Sequence, residues 1–462
     1  MKSKSSNRVS WRERIGFGLG KVAVDGSHGT LHVLVNPIYN MTLGLNPALI
    51  STVVFIQRIW DAMLDPIWGN FSDSFRSRWG RRRPFLLVAA MPLAIFFAAI
   101  WWFPAGASGN WLFWHLLLVS LAFYTAHSLY AMPLAGLTVE ATDDYHERTR
   151  LAATVLVFSF AAQIVSQWIF PLTQLKVFSN NITGLRWTTS ACAILLAVFG
   201  LLPALLCRER AYERAAQSKS KSSLLQNLRV VRGNHSFLAL LSARFVASFG
   251  YNIVGMLGIY MNTYYVFNGS IQAAALFYAI LGTAFQISAI GMSVFIYPTI
   301  SRRFGKKRAL QIAATILIVG CSCKLVVYQP GHPWLQLIVF CANGAAQAGF
   351  FLLPSAMLGD IADQDELKTG LRREALFASL LYWFEKAGNS LGSFLAGFVL
   401  IWIGFNAKLG PQTASTLHLM KFSYFFVPTI GAITSLILIK HYTLTEKEAY
   451  EIKEKLARGN PL

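Results

Sequence analysis

Along the chain, apolar runs of roughly 20 residues alternate with short breaks rich in Gly, Pro, Asn, Lys and Arg. The runs predict twelve helices, at about 15–36, 46–70, 84–104, 111–138, 150–177, 185–207, 236–267, 272–300, 308–328, 333–362, 374–405 and 417–441. The breaks are of two kinds, and they alternate. One kind carries Arg76, Arg78, Arg81, Arg82 and Arg83; Arg148 and Arg150; the stretch 208–234; Arg302, Arg303, Lys306, Lys307 and Arg308; and Lys368, Arg372 and Arg373. The other kind, "NPIYNMTLGLNP", "PAGASGN", "NGS" and "QPGHP", is nearly free of positive charge, with Arg186 and Lys408 as exceptions. Basic loops resist translocation, so the first kind is expected in the cytoplasm together with both basic termini. The longest polar stretch separates two sets of six spans. The expected organisation is a tail at 1–14, a six-helix half at 15–207, a central loop at 208–235, a second half at 236–441 and a tail at 442–462.

The halves echo each other. "RWGRRRP" at 78–84 returns as "RFGKKRA" at 303–309, and "MPLAGL" at 132–137 returns as "LPSAML" at 353–358. Each pair holds the same place in its half, which points to a duplicated six-helix unit. In secondary transporters so built, the substrate site lies between the halves near the midplane. In the central loop, Leu224, Leu225, Leu228 and Val231 share a helical face, so a short helix on the membrane surface is expected. The tail "TLTEKEAYEIKEKLARG" reads as a soluble helix opened by a capping box of Thr445 and Glu448.

Composition agrees with the pattern. The chain is 55% hydrophobic and 13% charged, where soluble proteins carry about 25% charged residues. It is therefore an all-α integral membrane protein of twelve transmembrane helices in two six-helix halves. Its net charge of +20 would suit nucleic acid, but the charge sits in short loops, so no nucleic-acid partner is expected. The cysteines Cys192, Cys207, Cys321, Cys323 and Cys341 fall in spans at spacings that fit no metal site. The sequence holds no nucleophile–base pair and no phosphate loop, so neither an enzyme nor a resident cofactor is expected. A sensor would usually carry a large soluble signalling domain.

Charge inside the spans carries the chemistry. Asp61 and Asp65 stand one helical turn apart in "IWDAMLDPIWGN". A carboxylate at that depth costs about 2.5–3.5 kcal/mol on the milder insertion scales, and a monovalent cation removes that cost. A structural ion pair with Arg58 is the alternative. Asp25, His28 and His32 form a polar stripe along the first span, expected to face a cavity; the histidines can relay protons or simply pack. Lys386 in the eleventh span needs an acidic partner, for which Asp25 and Asp61 are candidates. Glu385 beside it has no assigned direction. Tyr124, His127 and Ser128, Gln163 and Gln167, Gln286, Trp383 and Asn389 are further candidate lining groups, of types that suit a sugar's faces and hydroxyls. Such residues also hold membrane helices together. Arg244, Lys324 and Lys421 are expected near span ends, snorkelling to the interface. At the basic rim, Arg81, Arg82 and Arg83 with Asp73, and the acids Glu140, Asp143, Asp144, Asp360, Asp363, Asp365 and Glu366, suggest a ring of ion pairs that opens and closes as a gate.

Three blocks, "DAMLDPIWGNFSDSFRSRWGRRRP", "GLTVEATDDYHERTRL" and "GDIADQDELKTGLRREALFASLLYWFEKAGNSLGSFLAG", resemble the glycoside–pentoside–hexuronide:cation symporters, melibiose-carrier-like members of the major facilitator superfamily. The resemblance runs over essentially the whole chain. It implies alternating access and import of a sugar or glycoside with Na⁺ or H⁺, by a multi-pass protein of the cell (inner) membrane, expected as a monomer in the bilayer. It implies that Asp61 and Asp65 bind the cation with Ser128 nearby, that Asp25 binds sugar hydroxyls, and that Lys386 couples the two sites. Relatives place an Asn between the acids and an Asp before the fourth-span proline, where this chain has Leu64 and Ala131. Fewer oxygens remain for Na⁺, which favours H⁺. Relatives that carry amphipathic lipids supply the alternative cargo, together with other organic solutes.

Overall fold

The computed structural model describes residues 8–142, 144–209, 233–370, 373–406 and 412–457. The expected surface helix at Leu224, Leu225, Leu228 and Val231, together with Asp143, Arg372 and Lys408, lies outside the described residues. Among those described, every regular element is a helix. The chain divides into two compact units, Met1–Lys219 and Ser220–Leu462.

The first unit holds α1 (Trp11–Val35), α2 (Pro47–Ser74), α3 (Arg83–Ala99), α4 (Gly109–Val139), α5 (Tyr145–Thr173) and α6 (Asn181–Leu206). The second holds α7 (His235–Val266), α8 (Ile271–Phe304), α9 (Lys306–Val327), α10 (Pro333–Thr369), α11 (Glu374–Trp402), α12 (Ala414–Lys440) and the short α13 (Glu446–Ala457). Nine of the described helices are long and apolar enough to cross a membrane by length and composition. Of the other four, α13 is a short polar helix and α3 is shorter than the rest, while α1 carries Lys21 and Asp25 and α11 carries Glu385 and Lys386.

Most helices start where a side chain caps the free N–H groups of the first turn. Ser10 and Glu13 form a capping box on α1, and Asn46, Ser108, Asp144, Asn180, Asn234, Ser270 and Thr413 cap α2, α4, α5, α6, α7, α8 and α12. Three helices widen into π turns, at Asn36–Thr42, Met261–Val266 and Met292–Ile296. Nothing in the hydrophobic pattern marks them. In the first, the Thr42 hydroxyl donates to the Pro37 carbonyl, five residues back, at 3.0 Å. The capping box expected on the tail is present: Thr445 N–H donates to Glu448 at 2.7 Å, and Glu448 N–H to Thr445 Oγ1 at 3.3 Å.

Packing is duplicated along with sequence. In the first unit α1 packs on α5 and α6, α2 on α4, and α3 on α4 and α6; in the second, α7 packs on α11 and α12, α8 on α10, and α9 on α10 and α12. Where α11 meets α7, Gly388 and Gly392 bring it against backbone: a Cβ at these positions would lie 2.6 Å and 2.4 Å from the Phe245 and Phe249 carbonyl oxygens. Small residues four apart permit this close helix approach. Arg186, an exception to the charge pattern, donates to the Phe103 carbonyl and lies 5.2 Å over the Trp102 ring.

Candidate functional site

Within the first unit, α1, α2, α4 and α5 bring the predicted acids into one polar region. Asp61 is 6% exposed on α2. One turn on, Asp65 accepts a hydrogen bond from Ser128 Oγ of α4 at 2.7 Å. Asp25 of α1 forms a 2.8 Å ion pair with Lys21, one turn earlier on the same helix, and accepts a bond from Ser159 of α5. Lys21 and Ser159 were not singled out from the sequence. The spacing of Lys21 and Asp25 was the readable signal, since oppositely charged groups four apart meet on a helix.

His127 sits among these acids. Asp61, Asp65 and Asp25 all act on it electrostatically. One ring nitrogen approaches the Val24 carbonyl at 3.3 Å, and the other, Nδ1, is buried without a hydrogen-bond partner. The rings of His28 and Tyr124 complete an aromatic cluster, with centroids 6.1 Å and 5.9 Å from that of His127. His32 is exposed and lies within the electrostatic reach of Arg58. Gln163 and Gln167 lie half-buried on α5.

The second unit has its own polar set. Asn389 Oδ1 accepts from Asn252 Nδ2 of α7 at 2.5 Å. Gln286 is buried on α8, Lys386 is half-buried and Trp383 is exposed. The snorkelling expected of Arg244 and Lys324 is corrected. Arg244 is 5% exposed and forms a 2.6 Å ion pair with Glu385, and Lys324 is 1% exposed with its ammonium 4.2 Å from the centre of the Tyr424 ring. Each found its partners within the bundle, so neither reaches for the interface. Lys421, nearer a helix end, touches the Tyr265 hydroxyl and the Tyr328 carbonyl, both at 3.3 Å.

At the basic end of the first unit, Arg81 donates to both Glu140 oxygens at 2.9 and 2.8 Å, and Arg82 to Asp73 at 3.1 and 2.6 Å. Arg82 Nη1 also lies 2.8 Å from Glu140, an ion pair that does not meet hydrogen-bond geometry. Arg83 donates to the Ala204 carbonyl near the end of α6 at 2.8 Å. Glu209, which follows α6, accepts the N–H groups of Arg81 and Arg82 at 2.8 and 3.1 Å. Its carboxylate fits because Gly80 has φ +102°, and a Cβ there would lie 2.3 Å from the carboxylate oxygen.

The second unit repeats the device. Lys306 pairs with Asp360 at 2.6 Å, Lys307 donates to the Lys440 carbonyl ending α12 at 3.0 Å, and Glu446 lies against Gly305, whose φ is +82°. Asp363 is buried on α10, and Arg373 grips Asp365 through two bonds of 2.7 Å. Asp73, Arg81, Arg82, Arg83, Glu140 and Asp360 are thus all engaged in bonds within their own unit. These contacts fasten each unit from within.

Arg14 and Glu147 add a 2.6 Å pair from α1 to the first turn of α5. The Arg14 guanidinium, by hydrogen bond and charge, holds the Glu147 carboxyl below the usual carboxylate range. A lowered folded-state value adds stability that is full above the ordinary Glu value, about 4.3, and is lost as pH falls through the folded value. Thermal unfolding in detergent is expected to lose this contribution on acidification, and Arg14→Gln to flatten that part of the profile; equal profiles would contradict it.

Comparison with known proteins places this arrangement. An uncharacterized symporter of Synechocystis is 25% identical over 98% of this chain and 98% of its own length. The isoprimeverose transporter of Lactiplantibacillus pentosus is 25% identical over 99% of this chain and 94% of its own. Among solved structures, the nucleoside transporter NupG matches with a TM-score of 0.68 at 15% identity, covering 94% of this chain and all of the other, which shows a shared fold. A family model described as MFS/sugar transport protein matches residues 16–446, and the chain belongs to that family.

Proposed function

We propose that this protein is a secondary active transporter that imports a sugar or glycoside together with a monovalent cation by alternating access of its two halves. The observation that carries this reading is the acid pair on α2, with Asp61 buried and Asp65 taking the Ser128 hydroxyl. A membrane span retains such acids when they serve a moving charge. Asp61, Asp65 and Ser128 are assigned to the cation. Asp25, His28, His32, Tyr124, His127, Gln163, Gln286, Trp383, Lys386 and Asn389 are assigned to the sugar, whose hydroxyls need paired acceptors and donors. The isoprimeverose transporter named above supports a glycoside cargo. The coupling ion is H⁺, because a single carboxylate suffices for a proton, whereas Na⁺ would have to draw on nearly every oxygen of Asp61, Asp65 and Ser128. The basic loops and both termini face the cytoplasm, in the inner membrane of a cell, and the protein works as a monomer.

Purified protein in liposomes, given a panel of labelled mono- and disaccharides, tests this. Accumulation of at least one sugar above equilibrium is expected under an imposed inward H⁺ gradient. Movement of a labelled lysolipid with no sugar moved, or sugar entry that ignores both H⁺ and Na⁺ gradients, would overturn it.

A further inference from the structure

The second unit holds a small cavity, mostly apolar in its lining, that the transport reading does not use. It is lined by Ala247 and Tyr251 of α7, Leu317, Cys321 and Lys324 of α9, Asn343 of α10 and Pro428 of α12. Lys324 is 1% exposed, and among the described residues no carboxylate pairs with it. Its ammonium has the Tyr424 ring face at 4.2 Å and the Tyr424 carbonyl at a long 3.4 Å. The Tyr424 hydroxyl is already joined to that of Tyr328 at 2.8 Å. The Cys321 thiol also lies within hydrogen-bond contact of Lys324, but sulfur is a weak acceptor, so the ammonium holds one long carbonyl bond, a ring face and a weak sulfur contact and lacks a strong acceptor.

Asn343 has the opposite shortage. It is 7% exposed, and its Oδ1 is buried with no hydrogen-bond partner. A close approach puts it there: a Cβ on Gly320 of α9 would lie 2.9 Å from the Ala342 Cβ and 3.2 Å from Asn343 Oδ1. An amide oxygen left unsatisfied in a membrane span costs about 1–3 kcal/mol, so an orphan of this kind calls for a donor.

We infer that this cavity binds one ordered water, which accepts a hydrogen bond from Lys324 Nζ and donates one to Asn343 Oδ1. The choice follows from the chemistry of the two ends. An anion has no proton for an amide oxygen, and a metal cation is repelled by the lysine; water accepts and donates. The room also fits, at about 10 Å³ for the centre of a water-sized sphere, which is the order needed for one molecule. The bound water would tie α9 to α10 and keep Lys324 turned into the bundle.

Two measurements test it. A cryo-EM map of the full chain, sharp enough to show other buried waters, is expected to show a peak within hydrogen-bond distance of both Lys324 Nζ and Asn343 Oδ1. A map that shows the other waters but no peak there, or Nζ bonded straight to Oδ1, overturns the inference. X-ray radiolytic labelling, which marks side chains beside bound water, is expected at Cys321 in the unaltered protein and to fall severalfold in Asn343→Leu. Unlabelled Cys321 in the unaltered protein, or unchanged labelling in the variant, overturns it as well. Neither readout depends on the identity of the cargo.

Discussion

Replacing Asp61 by Asn is expected to abolish gradient-driven accumulation while leaving the protein folded. The side chain keeps its size and loses its charge, so the site on α2 no longer needs a cation to be stable within the membrane. If the cation offsets the roughly 2.5–3.5 kcal/mol that a carboxylate costs at that depth, its removal weakens cation binding on the order of 100-fold, since 1.4 kcal/mol is tenfold. Sugar then equilibrates and no longer concentrates. Liposomes under an imposed H⁺ or Na⁺ gradient give the measurement. The competing account, a structural pair of Asp61 with Arg58, predicts something else: the variant would strand a cation, lower the unfolding temperature and still accumulate sugar per folded molecule. Accumulation at the unaltered level would remove the cation role. Asp65→Asn is expected to act in the same direction, with the Ser128 hydroxyl still at hand to bond the amide oxygen.

The spans were legible because hydrocarbon demands them: a run of apolar residues long enough to cross has few other uses. Their ends were less so, for two different reasons. The start of α5 at Tyr145 had a readable sign, since Asp144 stands three residues before Glu147 and caps its N–H at 2.9 Å. The end of α10 had none, because "GDIADQDELKT" continues the helix to Thr369 on polar residues, and an apolar count cannot follow it. Asp61, Asp65 and Asp25 stood out because charge in a span has a cost that local sequence displays. The partners of Arg244 and Lys324 did not. Glu385 lies on another helix, and the inward turn of Lys324 depends on Tyr424, which lies in α12. Local spacing shows which residues share a helix face and says nothing about which neighbouring helix that face meets. The same gap holds at the basic rim. "RWGRRRP" announces a need for anions, but only packing shows that Glu140, Asp73 and Glu209 supply them from within the same half.

Glu140→Gln is expected to destabilise the first half by about 3 kcal/mol, the lower end of the range for a buried charge deprived of its partner. Arg81 and Arg82 have side chains only 8% and 7% exposed, and Glu140 is the carboxylate they share. Arg82 keeps Asp73, and Arg81 keeps the more distant Glu209 at 3.6 Å, which is why the upper end of the range is not reached. Asp73→Asn makes the informative comparison. That carboxylate is 52% exposed, and pairs so open to water contribute about 0–1 kcal/mol, so its unfolding midpoint in detergent should barely move. The ordering of the two variants separates the fastening role from the gating one. If the arginine knot holds one half together, Glu140→Gln lowers the unfolding midpoint and leaves the exchange rate per folded molecule near that of the unaltered protein. If it were broken at each cycle, the loss of a pair would instead shift the balance of inward and outward states, raise or lower turnover, and leave the midpoint little changed. Rocking halves need rigid bodies to rock, and the duplicated contacts of Lys306 with Asp360 and of Glu446 beside Gly305 indicate that the second half meets the same requirement by the same means.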